Sequence, residues 1–376
     1  MIIHFFQPEL FNRTEQKTNP FFDPLIDVCR KNNIPYRVFI AEKKASPNGY
    51  RNAAGNSWIL VWPEILGFRL IKWFHLPSRL VWRSLGAVMN LLTFGRYRAD
   101  ICITVAGVHM EILQGIAPRA RLVDLQHGVI YPYHTGYFDK TGKLLPGLTE
   151  NPQREYWVYG QGFKDIFLNN SQNSCNYNFF KHKIFIVGNL LEQPPQNKNI
   201  ATKNTIVFSL QFTDSLSRKQ MEHLAHDTVF LLEQLETHKI INKYKIVLKH
   251  HPRYQNCYDL SFLIKKFPWI SYSNASTIDL ISSAIFHITA YSTTAFEYAL
   301  AGIPTLFFYD KENPEGQEFL TALHYNAVKT FDDMLDLLNN NRSYKNAADN
   351  VRNWARYYYQ SNNYQSIINA IQHIPS

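Results

Sequence analysis

Three short stretches of the chain collect residue types suited to group-transfer chemistry. The first is Asp124-Leu125-Gln126-His127-Gly128, with His134 a few residues on. An apolar run ends at Gln126, and Gly128 would allow a sharp backbone turn that a side chain would obstruct. His127 would then project from a strand exit as a general base, since a free imidazole titrates near about 6.5. The plainer alternative is a His127 that bonds a loop carbonyl. Asp124 would orient a histidine or cap a turn, and His134, set among aromatics, fits packing as well as contact with an acceptor.

The second stretch is Lys249-His250-His251-Pro252-Arg253. Pro252 biases His251 toward extended backbone at a strand exit. His251 and Arg253 could there neutralise a departing phosphate by charge and hydrogen bonds. A basic, solvated turn is the alternative. Metal binding is the poorer reading, because neighbours on a strand point to opposite sides and no carboxylate lies close.

The third runs from Ile288 to Pro304 and reads strand, hydroxyl turn, helix, glycine stop, strand. Ser292, Thr293 and Thr294 fall where a helix begins, so their hydroxyls and the unpaired N–H groups could hold phosphate oxygens. Glu297 lies one turn in and could accept bonds from a ribose. Ordinary capping would explain one hydroxyl but not three. Ser209 and Gln211, at the end of an earlier strand, are further candidates for a phosphate or base contact.

These stretches need a scaffold that presents strand exits. Strands are expected near Ile2–Phe6, Arg37–Ala41, Ile101–Val105, Leu122–Gln126, Glu155–Tyr159 and Ile184–Val187. A second series is expected at Thr205–Leu210, Lys245–Lys249, Phe286–Thr289 and Thr305–Phe308. Apolar runs alternating with helical patterns favour parallel βαβ units, whose ligands bind at the carboxyl ends of strands. The expectation is an α/β chain of two Rossmann-like domains facing across a cleft. Residues 1–190 would form the first, which binds the acceptor, and 205–345 the second, which binds the nucleotide donor. The Pro- and Asn-containing stretch 191–204 would link them, and helices in 346–376 would cross back to the first domain.

The 376 residues suffice for two cores, with 45% hydrophobic and 18% charged side chains, which excludes a disordered or fibrous chain. Net charge is +9, which suits nucleotide phosphates, an anionic membrane or nucleic acid without choosing among them. Nucleic-acid binding is the weakest of these, since it leaves the three loops unexplained. Four scattered cysteines argue against a disulfide framework or a zinc site and fit a reducing compartment. The first residues read as a strand, not a signal peptide, and no long apolar run suggests a membrane span. A cytoplasmic protein is expected.

The set Gln126-His127-Gly128, His251-Pro252 and Ser292-Thr293 resembles the motifs of bacterial GT-B glycosyltransferases of surface-polysaccharide synthesis. It is similar to capsular Kdo transferases, CDP-glycerol or CDP-ribitol phosphotransferases and bacterial sialyltransferases. The last carry an acidic motif where this chain has Gln126-His127-Gly128, which points away from a sialic acid donor. The resemblance implies a metal-independent, inverting transfer with no cofactor, from a nucleotide sugar to a glycan or lipid-linked acceptor. His127 would be the base and His251, with Arg253, would stabilise the leaving phosphate. Ser292, Thr293, Thr294, Glu297, Ser209 and Gln211 would hold the donor, and Gln126, Gly128 and His134 the acceptor. The alternatives are a polyol-phosphate transferase using a CDP-activated donor and a UDP-N-acetylhexosamine 2-epimerase.

One segment stands apart. Ser57–Arg98 interleaves Trp58, Trp62, Phe68, Trp73, Phe74, Trp82 and Phe94 with Arg69, Lys72, Arg79, Arg83, Arg96 and Arg98. Such interleaving suits an interfacial helix on the inner face of an anionic membrane, or a helix packed on a sheet with its basic side in water.

Overall fold

The computed structural model describes residues 1–8, 19–41, 55–56, 58–75, 77–107, 109–132, 134–190, 203–213, 216–251, 257–308 and 320–373. The chain divides into two compact units, Met1–Glu192 with Gln360–Ser376, and Gln193–Tyr359. No helix among the described residues is long and apolar enough to cross a membrane.

The first unit is built on a parallel sheet of seven strands in the order β3-β2-β1-β4-β5-β6-β7. These are β1 (Ile3–Pro8), β2 (Tyr36–Ala41), β3 (Gly55–Asn56), β4 (Ile101–Val105), β5 (Arg121–Leu125), β6 (Arg154–Val158) and β7 (Ile184–Ile186). Its middle strands read as unbroken apolar runs because both faces are covered, and every residue of β4 is buried. On one face, α1 (Asp23–Lys31) and the last helix pack on Ile3, Phe5, Val38 and Ile103. On the other, α4 (Met110–Ile116) covers Phe6, Phe39, Cys102 and Leu122. α3 (Ser78–Leu92) packs on α4, and α2 (Trp58–Phe74) packs on α3 and touches β2. The remaining helices of this unit are α5 (Gln161–Asn169) and α6 (Ser174–Lys183).

The second unit is a five-stranded parallel sheet in the order β10-β9-β8-β11-β12. Its strands are β8 (Thr205–Ser209), β9 (Lys245–Lys249), β10 (Ile270–Ser273), β11 (Ala284–Thr289) and β12 (Thr305–Phe307). α7 (Arg218–Thr237) opens with a reciprocal cap in which Ser217 and Gln220 satisfy each other's backbone N–H. α8 (Ser261–Lys266), α9 (Thr277–Ile281) and α10 (Thr294–Leu300) follow, then α11 (Phe331–Asn339) and α12 (Asn341–Tyr358). The aromatic side of α12 closes one end of the core. Trp354 stacks on Phe296 at 4.4 Å and its indole N–H donates to Leu323 O at 2.7 Å.

After Tyr359 the chain rejoins the first unit. Asn189 pairs in parallel with Ser361, and α13 (Tyr364–Gln372) lies in that unit's core. Its last carbonyls, of Ala370 and Ile371, accept bonds at 2.6 and 2.7 Å from Arg121, which also forks onto the buried Glu155. A cation on C-terminal carbonyls satisfies groups that a helix end leaves open.

Strands β3 and β10 are absent from the expected set. β3 is two residues long, and β10 reads Ile-Ser-Tyr-Ser, an edge strand with half its side chains polar, so no apolar run marks it. The four cysteines are free thiols, and burial pushes those of Cys29 and Cys102 up to about 12. Most of the expected linker, 191–202, lies outside the described residues.

Candidate functional site

In the second unit the strand order turns at β8 and β11, which are neighbours although distant in sequence. Ligands of open parallel sheets bind at that switch point, beyond the carboxyl ends of the strands. The parallel register sets Thr289 beside Ser209 there and His287 beside Thr305 of β12. A continuous set of hydroxyls results. Thr289 Oγ1 donates to Ser209 O at 2.8 Å and accepts from Ser292 N–H at 3.3 Å. Ser292 Oγ lies 2.8 Å from Thr294 Oγ1 and accepts the Thr294 N–H at 3.2 Å, while Thr294 Oγ1 reaches Ser209 Oγ at 3.4 Å.

Sequence reasoning missed the residue that anchors this cluster. His287 is fully buried, with Nε2 2.8 Å from Ser209 Oγ and Nδ1 3.0 Å from Thr305 Oγ1. Burial lowers its pKa to about 3, so the ring is neutral and donates through one nitrogen while accepting through the other. Tyr298 of α10 stacks on it at 4.0 Å with planes 12° apart. A lone histidine in the apolar strand Ala-Ile-Phe-His-Ile-Thr was the available signal.

Thr293 is the N-cap of α10 but has helical dihedrals and makes no capping bond; it is exposed. Capping therefore does not account for its hydroxyl. Glu297 is half-buried on the next turn, and its charge favours the protonated form of Lys249, whose pKa burial lowers. Lys249, nearly buried at the end of β9, donates to Ala275 O. Gln211 is half-buried and its carbonyl accepts from Tyr291 O–H at 3.4 Å. His251 is half-buried just after β9, whereas Arg253 lies outside the described residues. Its neighbour His250 stacks on Tyr272 at 4.9 Å, and both line a cavity of about 380 Å³ with Tyr258, Asp259 and Leu260.

In the first unit His127 follows β5, half-buried, and burial lowers its pKa to about 4, with His134 adding a smaller effect. The imidazole is thus neutral at pH 7, the form that accepts a proton. Gln126 is buried and works as a brace, its amide donating to Gly128 O at 2.6 Å and accepting from Tyr159 N–H at 2.8 Å. The backbone bends at Gly128, but not in a way that only glycine allows. Its backbone is not left-handed and a Cβ there would meet nothing within 4 Å. His134 packs between Tyr131 and Tyr137 and accepts Gly136 N–H at 3.1 Å.

Asp124 has a different partner from the one expected. It is buried, and Oδ2 accepts from Arg154 Nη2 at 2.9 Å, with Tyr137 O–H 3.5 Å from Oδ1. Burial pushes the carboxyl pKa up and the guanidinium opposes this. The ion pair holds the 131–137 loop through Tyr137.

Comparison with known proteins fits this geometry. The whole chain is similar in fold to the UDP-GlcNAc 2-epimerase from Neisseria meningitidis bound to UDP-GlcNAc. The TM-score is 0.53 at 12% identity, with 99% of each chain covered. It is equally similar to the glycosyltransferase of kitacinnamycin (0.53, 11%, 99% of each chain) and to the lipopolysaccharide outer core galactosyltransferase WaaB (0.52, 11%, 99% of each chain). The fold is thus GT-B, two Rossmann-like α/β units. Residues 209–373, under half of the chain, match the family model described as CDP-Glycerol:Poly(glycerophosphate) glycerophosphotransferase. The fold match covers the whole chain, and the family match falls within its second half. No protein among those of curated function matches the sequence.

Proposed function

We propose that the chain moves a sugar from a nucleotide-sugar donor to a hydroxyl of a surface-polysaccharide or lipid-linked glycan, without a metal ion. What supports this best is the cluster of Ser209, Ser292 and Thr294 at the switch point of the second unit, inside the stretch that matches a transferase family. Hydroxyls and backbone N–H groups fixed in advance can donate hydrogen bonds to phosphate oxygens with little reorganisation. The donor ribose is assigned to Glu297, and the leaving phosphate to His251 with Arg253. His127 takes the acceptor's proton as its oxygen attacks the anomeric carbon and the carbon–oxygen bond to phosphate breaks. The acceptor side is assigned to Gln126, Gly128 and His134, Gln126 through its hold on the loop. Work at the cytoplasmic face of a membrane follows from a lipid-linked acceptor.

The family match favours a second reading, transfer of a polyol phosphate from a CDP-activated donor. The same histidines would serve, but the acceptor oxygen would attack the β-phosphorus and release CMP. The test is thermal stability with CMP, CDP, UDP, GDP and ADP, each with and without EDTA, followed by turnover of the matching donors. A ligand at about 100 times its Kd stabilises by about 2.7 kcal/mol. An EDTA-insensitive, selective shift is expected, and His127→Ala should keep that shift while losing about 10²–10⁴ in turnover. No shift with any nucleotide, or donor turnover with no acceptor present, as an epimerase would give, overturns the reading.

A further inference from the structure

Helices α2 and α3 pack on each other, with Phe68 meeting Trp82 edge-to-face at 5.2 Å. Their inner side is anchored. Gly86 of α3 lies so close to Gly115 of α4 that a Cβ on either would overlap the other helix's backbone. Arg83 pairs with Glu111 of α4 at 2.6 Å, and Arg79 with Glu150 at 2.9 Å.

Among the described residues the outer side has no such partners. Trp73, Phe74, Leu80, Leu91, Leu92 and Phe94 are all more than half exposed, reaching 97% at Phe94. On α3 the exposed positions Leu80, Ser84, Val88 and Leu91 recur at helical spacing, so the apolar side chains form a stripe rather than scattered sites. Exposed Arg69 and Lys72 lie on α2 among them, with Arg96 just past α3. Between Ser57 and Arg98 there are six Arg and Lys residues and a single acid, Glu64.

We infer that the outer face of the α2–α3 hairpin is a docking surface for an anionic lipid bilayer, with Trp73, Phe74, Leu91 and Phe94 entering the interface and Arg69, Lys72 and Arg96 meeting headgroup phosphates. Large apolar side chains ringed by cations are what an interfacial helix needs. Tryptophan at the rim suits the headgroup level, and long basic stems can lie along apolar surface while their charges stay in water. Charge chooses the occupant, since a face that exposes Arg69, Lys72 and Arg96 meets an anionic bilayer favourably and repels a second copy of itself. The inference does not depend on the donor or reaction assigned above.

Flotation of the full chain with vesicles tests it directly, with no donor or acceptor present. Binding is expected to vesicles of equal parts phosphatidylglycerol and phosphatidylcholine at low salt, and to weaken at high salt. The double variant Trp73→Ser, Phe74→Ser should lose at least about tenfold in bound fraction at every salt concentration. Arg69→Glu with Lys72→Glu should lose about tenfold on the anionic vesicles while leaving any binding to pure phosphatidylcholine unchanged. Equal melting temperatures of wild type and variants show that folding is intact, since all four side chains are exposed. Absence of wild-type flotation at low salt overturns the inference, as does undiminished flotation of the serine variant. So does a wild-type dimer in light scattering that the serine substitutions dissociate, which would make the face a contact between copies.

Discussion

His287 joins Ser209 to Thr305 through its two nitrogens, and through Ser209 it fixes Thr294 and Ser292. A His287→Phe variant would keep the ring's volume and its stacking on Tyr298 but remove both nitrogens. Thr305 Oγ1 would then lose its partner, at about 1–3 kcal/mol, and Ser209 Oγ would keep only its 3.4 Å contact with Thr294. Denaturant unfolding should show that loss, and the donor KM should rise more than kcat falls, because the holder of the donor is disturbed and not the base. A change in kcat alone would remove His287 from the donor site. The histidine was visible in the sequence as a polar residue in an apolar strand. Its partners were not, because they come from positions 78 residues before it and 18 after it. Asp124 teaches the same lesson in reverse. Its place among loop histidines suggested that it orients one or caps a turn, while the neighbouring strand β6 supplies Arg154 as its ion-pair partner.

Elements were legible wherever burial on both faces left a continuous apolar run, as in β4 and β8. Edge strands such as β10 carry no such signature. The stop of α10 was legible too. Gly302 adopts φ +73° and its N–H donates to Ala299 O at 2.8 Å, while Ile303 N–H returns to Tyr298 O at 2.9 Å. This is a left-handed helix end that favours glycine. A Cβ at this position would also overlap the guanidinium of Arg352 on α12. Gly302→Ala should therefore cost about 1–2 kcal/mol from the backbone alone, with the displacement of Arg352 added. A lower denaturation midpoint would register it, and an unchanged midpoint would show that the turn relaxes freely. The residues on α10 that face the hydroxyl cluster depend on this stop for their register.

Among the described residues, burial lowers the pKa of five histidines, His4 and His127 to about 4, His287 to about 3, and His134 and His250 below the usual value. In each case loss of hydration is the main cause, and an unfolded histidine titrates near about 6.5. Between these values the unfolded chain binds more protons than the folded one, so stability is full above about pH 6.5 and falls as pH drops toward 4 and 3. The melting temperature, measured in steps across that window, should decline steadily. His287→Phe should flatten the decline for the second unit while His4 and His127 continue to act on the first. A melting temperature that stays level from pH 7 to pH 4 would contradict it.

The amino-acid sequence alone determined the α/β class, most strands, the glycine stop after α10 and the loops that follow β5, β9 and β11. All of these depend on neighbours within a few residues, through hydrophobic period, backbone stereochemistry and turn chemistry. Only the tertiary structure decided which side chains meet at those loops. Parallel pairing puts Ser209 beside Thr289, gives His287 to Ser209 and Thr305, and gives Asp124 to Arg154. Parallel neighbours are joined by long crossovers, so contacts across a sheet link residues far apart in the chain, where local spacing carries no information.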